Sequence, residues 1–385
     1  VEGRRYFQSL IHFAKDSQRM YNYWRPLDLG TPVPTPDGWS TIGAIEVGDE
    51  VYGDDGKPCA VVGKSPVHIN RDCYEITFDD GTAIVSDGEH PWTVEERGPR
   101  KAASYEWTVK DVTTADLEPG KHFIEVPHPI HGSILQADLQ VDPYLLGYWL
   151  GDGATHAGRF YAQESDLPNI VAEVERAGYA VDTVTRSNDK VPQFVAKGLH
   201  ADLRAAGVLD RKYIPAEYLR ASVEARWALL QGLMDSDGSI SQTNICHFSN
   251  TNEDIASSFG ELLASLGIKA KMVAREGRAS RVVNAANGFK VSYEFSFTAL
   301  STDPVFRLAR KADKLRGKQD HWRRTKRFGI KAIKAVASRP VQCLAIDNAS
   351  HLFLVGKNMV PTHNTAATEL VALAPKAPFI GPEGA

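Results

Sequence analysis

The chain has 385 residues, of which 43% are hydrophobic and 24% charged, and its formal net charge is −4. This composition is typical of a folded protein of two or three domains, and it argues against a uniformly basic nucleic-acid binder. The four cysteines lie far apart and lack CxxC spacing, so neither a disulfide framework nor a zinc ribbon is indicated. No apolar run reaches the ~18 residues that a membrane span needs. We therefore expect a protein of the reducing cytoplasm with no membrane partner.

The pattern of residue types changes along the chain. Residues 5–25 have apolar positions at helical spacing and stop at Pro26, which predicts a helix. From Gly30 to about Pro127, short β-rich runs are separated by turn signals, which predicts an all-β domain. Between about 141 and 300, helical stretches alternate with strand-like runs, which predicts an α+β domain. Strand-like sequence returns near the end of the chain.

The two ends of the chain fit together. Deleting residues 26–364 leaves one continuous helix-compatible sequence, which an insertion explains; two unrelated terminal helices are the alternative. The Lys- and Arg-rich run from Arg307 to Lys334 is either a solvated helical face or a grip on DNA phosphates. We divide the chain into a helical flank at 1–25, an all-β part at 26–135, an α+β domain at 136–305, a basic linker or DNA-contacting segment at 306–332, a second all-β part at 333–364 and a helical flank at 365–385.

The tripeptide His363-Asn364-Thr365 carries candidate chemistry at the second flank. The side-chain amide of Asn364 can attack its own backbone carbonyl and release the downstream chain as a succinimide. His363, with an ordinary pKa near ~6.5, suits proton transfer to the departing amine. The hydroxyl of Thr365 can receive an acyl group. Such a tripeptide alone is weak support, since it is common in turns.

The sequences around this tripeptide and after Pro26 resemble a known family. GTPVPTPDGWSTIGAIEVGDEVYG and LFLVGKNMVPTHN resemble the two halves of the Hint fold, the horseshoe-like all-β splicing domain of inteins. The junction between Arg25 and Pro26 departs from the usual pattern, because no Cys or Ser follows it. Cys343 in RPVQCLAID and Trp92 in GEHPWTV, together with Thr365, resemble class 3 inteins, in which an internal Cys attacks the upstream junction.

This resemblance implies a sequence of steps and supporting roles. A branched thioester on Cys343 passes to the Thr365 hydroxyl, Asn364 cyclises, and the ester shifts to an amide, without a cofactor. His90 is expected to protonate the leaving amine, and Trp92 to pack beside Cys343 and exclude water. In the alternative view, a lone buried Cys and Trp are simply core residues.

Two further residues fit the family less firmly. Asp87 stands where inteins have a Thr three residues before the first histidine; it either orients His90 and raises its basicity or forms a turn before Gly88. His351, in SHLFLV, matches the family's second histidine and is expected to assist Asn364.

Two similar segments in the α+β region, LLGYWLGDG and LLQGLMDSDG, resemble paired LAGLIDADG motifs of homing endonucleases. Each motif is a helix with small residues at the helix crossing and an acid at its end. The family implies that Asp152 and Asp237 meet beneath a double-stranded DNA target, the host gene without the insert, and hold Mg²⁺. Lys212 in RKYIP matches a basic position that stabilises phosphate charge; a surface lysine is the alternative.

The flanks SLIHFAKDSQRMYNYWR and TAATELVALAPKAPFIGPEGA resemble a podovirus-type phage portal protein. This implies a host protein that forms a ring homo-oligomer in the virion, made in the cytoplasm of an infected bacterium. A free-standing homing endonuclease and a portal fragment with an inactive splicing element are the alternatives. The junction residues favour the self-splicing element, because a free-standing nuclease needs neither Cys343 nor His363-Asn364-Thr365.

Overall fold

A computed structural model of the chain shows two domains, each with its own core. It describes residues 26–101, 104–182, 184–185, 191–276, 291–315 and 325–364. The helical flanks predicted at 1–25 and 365–385 lie outside these residues. One large apolar core lies within residues 27–126 and 328–360, and the other lies within 139–315. The predicted fold class, a split all-β domain with an inserted α+β domain, is confirmed.

The all-β domain is built around an eight-stranded sheet in the order β19-β1-β7-β6-β18-β10-β8-β9. Smaller sheets pair β2 with β3, β20 with β5 and β4, and β21 with β22. Its strands are β1 (Leu27–Asp28), β2 (Pro32–Thr35), β3 (Gly38–Thr41), β4 (Glu50–Tyr52), β5 (Pro58–Lys64), β6 (Cys73–Phe78), β7 (Ala83–Asp87), β8 (Pro91–Lys101), β9 (Ser104–Thr113), β10 (His122–Glu125), β18 (Arg327–Val336), β19 (Val341–Gln342), β20 (Leu344–Ile346), β21 (Leu352–Val355) and β22 (Val360–His363).

Aromatic side chains fill the centre of this domain. The ring of Phe78 on β6 meets Trp92 and Phe328 edge-on, with centroids 6.4 and 6.0 Å apart. These rings are buried, and strands rich in β-branched and aromatic residues bury them from both halves of the chain. The core therefore holds the two sequence halves of the domain together.

The α+β domain has one three-stranded sheet, β11-β13-β12, and one four-stranded sheet, β14-β15-β17-β16. Its helices are α1 (Pro143–Asp152), α2 (Leu167–Arg176), α3 (Leu199–Ala205), α4 (Ala216–Leu219), α5 (Val223–Ser236), α6 (Glu253–Ser265) and α7 (Ala309–Leu315), and its strands are β11 (Arg159–Tyr161), β12 (Ala180–Val181), β13 (Gln193–Lys197), β14 (Ser239–Ile240), β15 (Ile245–Asn250), β16 (Ala270–Glu276) and β17 (Val291–Thr298). No helix of the described residues is long and apolar enough to cross a membrane.

Helices α1 and α5 carry the two similar motifs and cross at glycines. A Cβ added to Gly147 would lie 2.3 Å from the carbonyl oxygen of Leu229, and one added to Gly232 would lie 2.1 Å from that of Tyr144. Only glycine permits so close an approach of two backbones, as the sequence pattern leads us to expect. Both helices begin at an N-cap residue. The side chain of Asp142 accepts hydrogen bonds from the backbone N–H groups of Tyr144 and Leu145, and that of Ser222 accepts one from Ala225.

The basic segment at 306–332 requires a correction. Leu308, just before helix α7, and Leu315, at its end, are buried in the α+β core, and residues Arg327–Val336 form strand β18. The second all-β part therefore begins at Arg327 instead of residue 333. The apolar residues inside the basic run place it in the two cores, because they are buried against neighbouring elements. The number of charged residues in the run gives no information about this packing.

Charged side chains join the two domains. Arg226 on α5 is fully buried and donates hydrogen bonds to the carbonyl oxygens of Ser265 and Ala221 within its own domain, and to that of Ile130, which packs with Tyr52 of the all-β domain. Lys269 binds the Asp79 carboxylate of the all-β domain at 2.8 Å. The α+β domain is therefore docked onto the all-β domain that it interrupts in sequence.

Candidate functional site

The upstream junction lies in the large sheet beside Cys343. Strand β1 pairs with β19 on one side and β7 on the other, and Leu27 lies opposite Gln342 and Ser86. Continuing this antiparallel register by one residue sets Pro26 opposite Cys343. The Cys343 side chain is buried, with 2% of the residue exposed. Two positions more than 300 residues apart in sequence are thus neighbours, whereas Arg25 lies outside the described residues.

His90 and Trp92 form a buried polar cluster in the same domain. His90 is fully buried, and its Nε2 lies 2.6 Å from the Thr362 hydroxyl. The Trp92 ring meets the His90 ring edge-on at a centroid distance of 5.0 Å. Trp92 Nε1 donates to the Thr114 hydroxyl, which in turn donates to the His90 carbonyl. Trp92 therefore helps to fix His90, while its packing beside Cys343 stays a prediction.

Asp87 supports the junction in a way that differs from the expected one. Its backbone N–H donates to the Pro26 carbonyl at 3.1 Å, and its own carbonyl accepts the His90 N–H at 3.1 Å. Its carboxylate forms an ion pair with Arg71 and accepts the Glu89 N–H. Asp87 thus acts as a turn residue toward His90, as in the alternative interpretation, and places a carboxylate–guanidinium pair at the junction.

The downstream junction is held by backbone and amide contacts. Asn364 is buried, its N–H donates to the His351 carbonyl at 2.9 Å, and its side-chain amide donates to the Ile346 carbonyl at 3.1 Å. His351 has a left-handed backbone, with φ of 58°, and an exposed side chain. The structure thus brings His351 to Asn364 through its carbonyl oxygen. Thr365 lies outside the described residues.

His363 is oriented by two strands of the large sheet. Its Nε2 lies 2.8 Å from the Thr93 hydroxyl on β8 and 3.0 Å from the Asp111 carboxylate on β9. The preceding residue, Thr362, contacts His90 at the upstream junction. One strand, β22, therefore links the groups at both junctions.

Asp152 and Asp237 lie at the ends of the crossed helices. A Cβ added to Gly151 would lie 3.1 Å from Asp237 Oδ2, which shows how closely the two ends approach. Burial raises the pKa of Asp152 to about 6, and the negative charge of Asp237 adds to this effect. Burial also raises the pKa of Asp237. The two carboxylates repel each other at the helix crossing, and a divalent cation bound between them would relieve this repulsion.

The two carboxylates fit a divalent cation that takes its other ligands from water or from a bound anion. Among the described residues no group of three or more His, Cys, Asp or Glu is close enough to hold a metal. Mg²⁺ in such sites uses one or two carboxylates and takes its other ligands from phosphates and water. Asp152 and Asp237 would thus hold the ion.

Two lysines stand in equivalent places at the two helix ends. The Lys212 ammonium donates to carbonyl oxygens at the end of the first motif, and the Lys311 ammonium donates to carbonyl oxygens at the end of the second. Burial lowers the pKa of each to about 8. The acceptors and distances are Leu150 at 3.0 Å, Gly151 at 3.3 Å and Gly153 at 2.7 Å for Lys212, and Met234 at 2.8 Å, Asp235 at 2.7 Å and Gly238 at 2.7 Å for Lys311.

The alternative of Lys212 as a surface lysine is therefore wrong, and sequence reasoning missed Lys311. Lys311 lies inside a long basic run, in which no lysine stands out by type or spacing. Each lysine follows its own motif but at a different spacing, since Lys212 lies 60 residues after Asp152 and Lys311 lies 74 residues after Asp237. Only the fold gives both lysines the same role at a helix end.

Comparisons with known proteins agree with this geometry. Residues 224–288 match the family model of the LAGLIDADG-like domain. The match includes most of α5 and Asp237. Over 363 aligned residues, the chain is 36% identical to the replicative DNA helicase DnaB of Mycobacterium intracellulare, covering 89% of this chain and 58% of the relative. A DnaB of Mycobacterium leprae is 48% identical over 68 residues, which are 18% of this chain and 11% of that relative.

Solved structures with some likeness include an intein and a homing endonuclease. The crystal structure of the MchDnaB-1 intein is 18% identical, with a TM-score of 0.30, and the match covers 88% of this chain and 99% of that chain. A structure of mesophilic variants of the homing endonuclease I-DmoI is 12% identical, with a TM-score of 0.29, covering 47% of this chain and 97% of that one.

Proposed function

We propose that the chain splices itself, removing residues 26–364 and joining residues 1–25 to 365–385. The observation that carries this proposal is the register of β1 against β19, which aligns Pro26 with Cys343. The burial of Cys343, His90 and Asn364 supports it, because water would otherwise hydrolyse a thioester. His-Asn at the end of β22 supports the release step.

The chemistry follows from these groups. The sulfur of Cys343 attacks the Arg25 carbonyl carbon, the bond to the Pro26 nitrogen breaks, and His90 gives that nitrogen a proton. The Thr365 hydroxyl then takes the acyl group and restores the Cys343 thiol. The Asn364 side-chain nitrogen attacks its own carbonyl and frees the Thr365 amine. The amine finally attacks the ester to form the new peptide bond.

Mass spectrometry of the expressed chain tests the splicing proposal. We expect a ligated product of residues 1–25 and 365–385, and an excised piece of residues 26–364. Cys343→Ala removes both, whereas Asn364→Ala stops after the acyl transfers. Cys246→Ala is the matched control, since Cys246 is also buried but lies in the α+β core. Intact precursor from the unmutated chain would refute the proposal.

We propose further that the α+β domain cleaves double-stranded DNA. Its support is the family match around Asp237, the paired carboxylates of Asp152 and Asp237, and the equivalent lysines Lys212 and Lys311. A divalent cation, for which we propose Mg²⁺, would supply positive charge to the phosphodiester and its attacking water. Lys212 and Lys311 bring an ammonium group to each helix end, where charge develops on a phosphate.

A plasmid that carries the host coding sequence without the insert tests this second activity. We expect cleavage in Mg²⁺ and none in EDTA. Asp152→Asn and Asp237→Asn should each abolish double-strand cleavage, and Asp138→Asn, at an exposed position, should not. Cleavage that survives the loss of both acids would refute the assignment of the site.

For the host, we propose a phage portal protein that forms a ring in the virion, with splicing in the cytoplasm of the infected bacterium. The flanks support this by their resemblance, while the curated relatives are replicative helicases. The match to DnaB covers 89% of this chain, and residues 26–364 are 339 of its 385 residues. This agreement is expected if the two proteins share the inserted segment but have different hosts. The complete spliced host protein tests this: rings without ATP hydrolysis support a portal, and DNA-stimulated ATP hydrolysis identifies a helicase.

A further inference from the structure

A loop between β5 and β6 lies beside Cys343, which connects β19 to β20. The Ser65 N–H donates to the Cys343 carbonyl, and the Cys343 N–H donates to the Ser65 hydroxyl, both at 3.0 Å. The Gln342 side chain donates to the Ser65 carbonyl at 2.6 Å. Farther along the loop, His68 and Val341 exchange backbone hydrogen bonds of 2.8 and 2.9 Å. Loop residues 65–72 therefore have a fixed position relative to the nucleophile.

Arg71, at the end of this loop, brings a cation to the junction. Its guanidinium pairs with the Asp87 carboxylate, whose side chain is only 3% exposed. Asp87 in turn donates its N–H to Pro26. The hydrogen bond to Asp87 is the largest cause that raises the pKa of Arg71, and the negative charges of Glu89 and of a Cys343 thiolate act in the same direction. The guanidinium is thus anchored on the residue whose backbone binds Pro26, and the register of β1 sets Pro26 opposite Cys343.

Two other buried cysteines, Cys59 and Cys246, have acidic neighbours. Burial raises the pKa of Cys59 to about 12, and the carboxylates of Asp347 and Asp55 add to this effect. Burial also raises the pKa of Cys246 to about 12, with Asp303 acting in the same sense. A cysteine in such surroundings is an inert thiol at neutral pH. A nucleophilic cysteine at comparable burial needs a positive neighbour.

We propose that Arg71 is a positioning residue that stabilises the thiolate of Cys343, with Asp87 holding the guanidinium in place. The thiol proton leaves to water, and the remaining sulfur anion is the species that attacks the junction. This inference rests on the proposed splicing function. It gives the carboxylate of Asp87 a role that its sequence position did not suggest.

The alternative is a purely structural tie between the loop and β7. The two roles differ in their dependence on pH. Loss of a structural tie lowers the rate equally at every pH, whereas loss of a thiolate partner moves the rate profile to higher pH. Other titratable or charged groups around the junction are His68, Glu89, His90 and the ion pair of Asp28 with Arg339, in addition to Arg71 and Asp87.

The experiment measures Cys343-dependent cleavage at the upstream junction by hydroxylamine, from pH 6 to 10, in the full chain carrying Asn364→Ala. Arg71→Met should raise the midpoint of the profile by about one pH unit and slow the reaction about tenfold at pH 7, with recovery toward the unmutated rate at pH 10. Arg71→Lys, which keeps the charge, should retain most of the original midpoint.

Arg339→Met is the matched control. Arg339 forms an ion pair with Asp28 on β1 at 2.8 Å, so its loss removes a salt bridge at the same strand without removing Arg71. Its profile should keep the original midpoint. An unchanged midpoint in Arg71→Met, with either an unchanged rate or a uniform fall, would overturn the inference and leave the splicing proposal intact. If the Asn364→Ala chain with Arg71 unchanged shows no Cys343-dependent cleavage, the splicing proposal itself is overturned.

Discussion

Replacing Asp152 by Asn should stabilise the α+β domain in the absence of metal. Burial and the charge of Asp237 raise the pKa of Asp152 from its ordinary 3.8 to about 6. Each tenfold change in proton affinity is worth about 1.4 kcal/mol, so the ionised carboxylate costs at most about 3 kcal/mol. Because the group is partly exposed, we expect a gain of about 1 to 2 kcal/mol from Asp152→Asn.

The dependence of this gain on pH has a definite sign. The folded state binds the Asp152 proton more tightly than the unfolded state does, so the carboxyl group stabilises the fold while it is neutral. This stabilisation is lost as the pH rises from about 4 to about 6. The advantage of asparagine should therefore be full at pH 7.5 and only about a third as large at pH 4.5.

Urea unfolding of the full chain in EDTA measures this gain at both pH values. The Asp138→Asn variant, at an exposed position, is the matched control and should leave stability unchanged. Adding Mg²⁺ should stabilise the unmutated chain more than Asp152→Asn. A variant that is no more stable than the unmutated chain at pH 7.5, or an equal advantage at both pH values, would refute the electrostatic reasoning.

Three further substitutions follow from the described contacts. Gly232→Ala should destabilise the α+β domain by about 1 to 3 kcal/mol in thermal unfolding, because the added Cβ would lie 2.1 Å from the Tyr144 carbonyl oxygen. Gly260→Ala on α6 is the control and should be tolerated, because its added Cβ would lie 3.4 Å from the nearest atom. Lys311→Met should slow DNA cleavage at least about tenfold, and Lys314→Met, on the exposed side of the same helix, should not; equal rates would contradict the role of Lys311. Thr362→Val should slow thioester formation about tenfold, because His90 loses the hydroxyl that lies 2.6 Å from its Nε2. Thr113→Val, which removes a hydroxyl bound to Asp116, is the control, and equal rates for the two variants would contradict a role for the Thr362 hydroxyl.

Local patterns in the sequence are sufficient for the fold class. Alternating β-rich runs and turn residues indicate the all-β parts, whereas the crossing of α1 and α5 and the pairing of Asp152 with Asp237 follow from the resemblance to LAGLIDADG motifs. A helix fixes its own residues relative to one another, so each motif can be recognised within one short segment. The pair His363-Asn364 was recognisable because its chemistry lies within adjacent residues.

Only the tertiary structure decided which distant groups meet. Strand β1 joins β19 and β7, and this pairing, set by burial and long-range register, brings Pro26 to Cys343 and Arg71 to Asp87. The basic run concealed Lys311, since charge counting cannot show that its ammonium is buried at a helix end. Sequence therefore determined the residue types and local elements, while packing between elements far apart in the chain determined their partners.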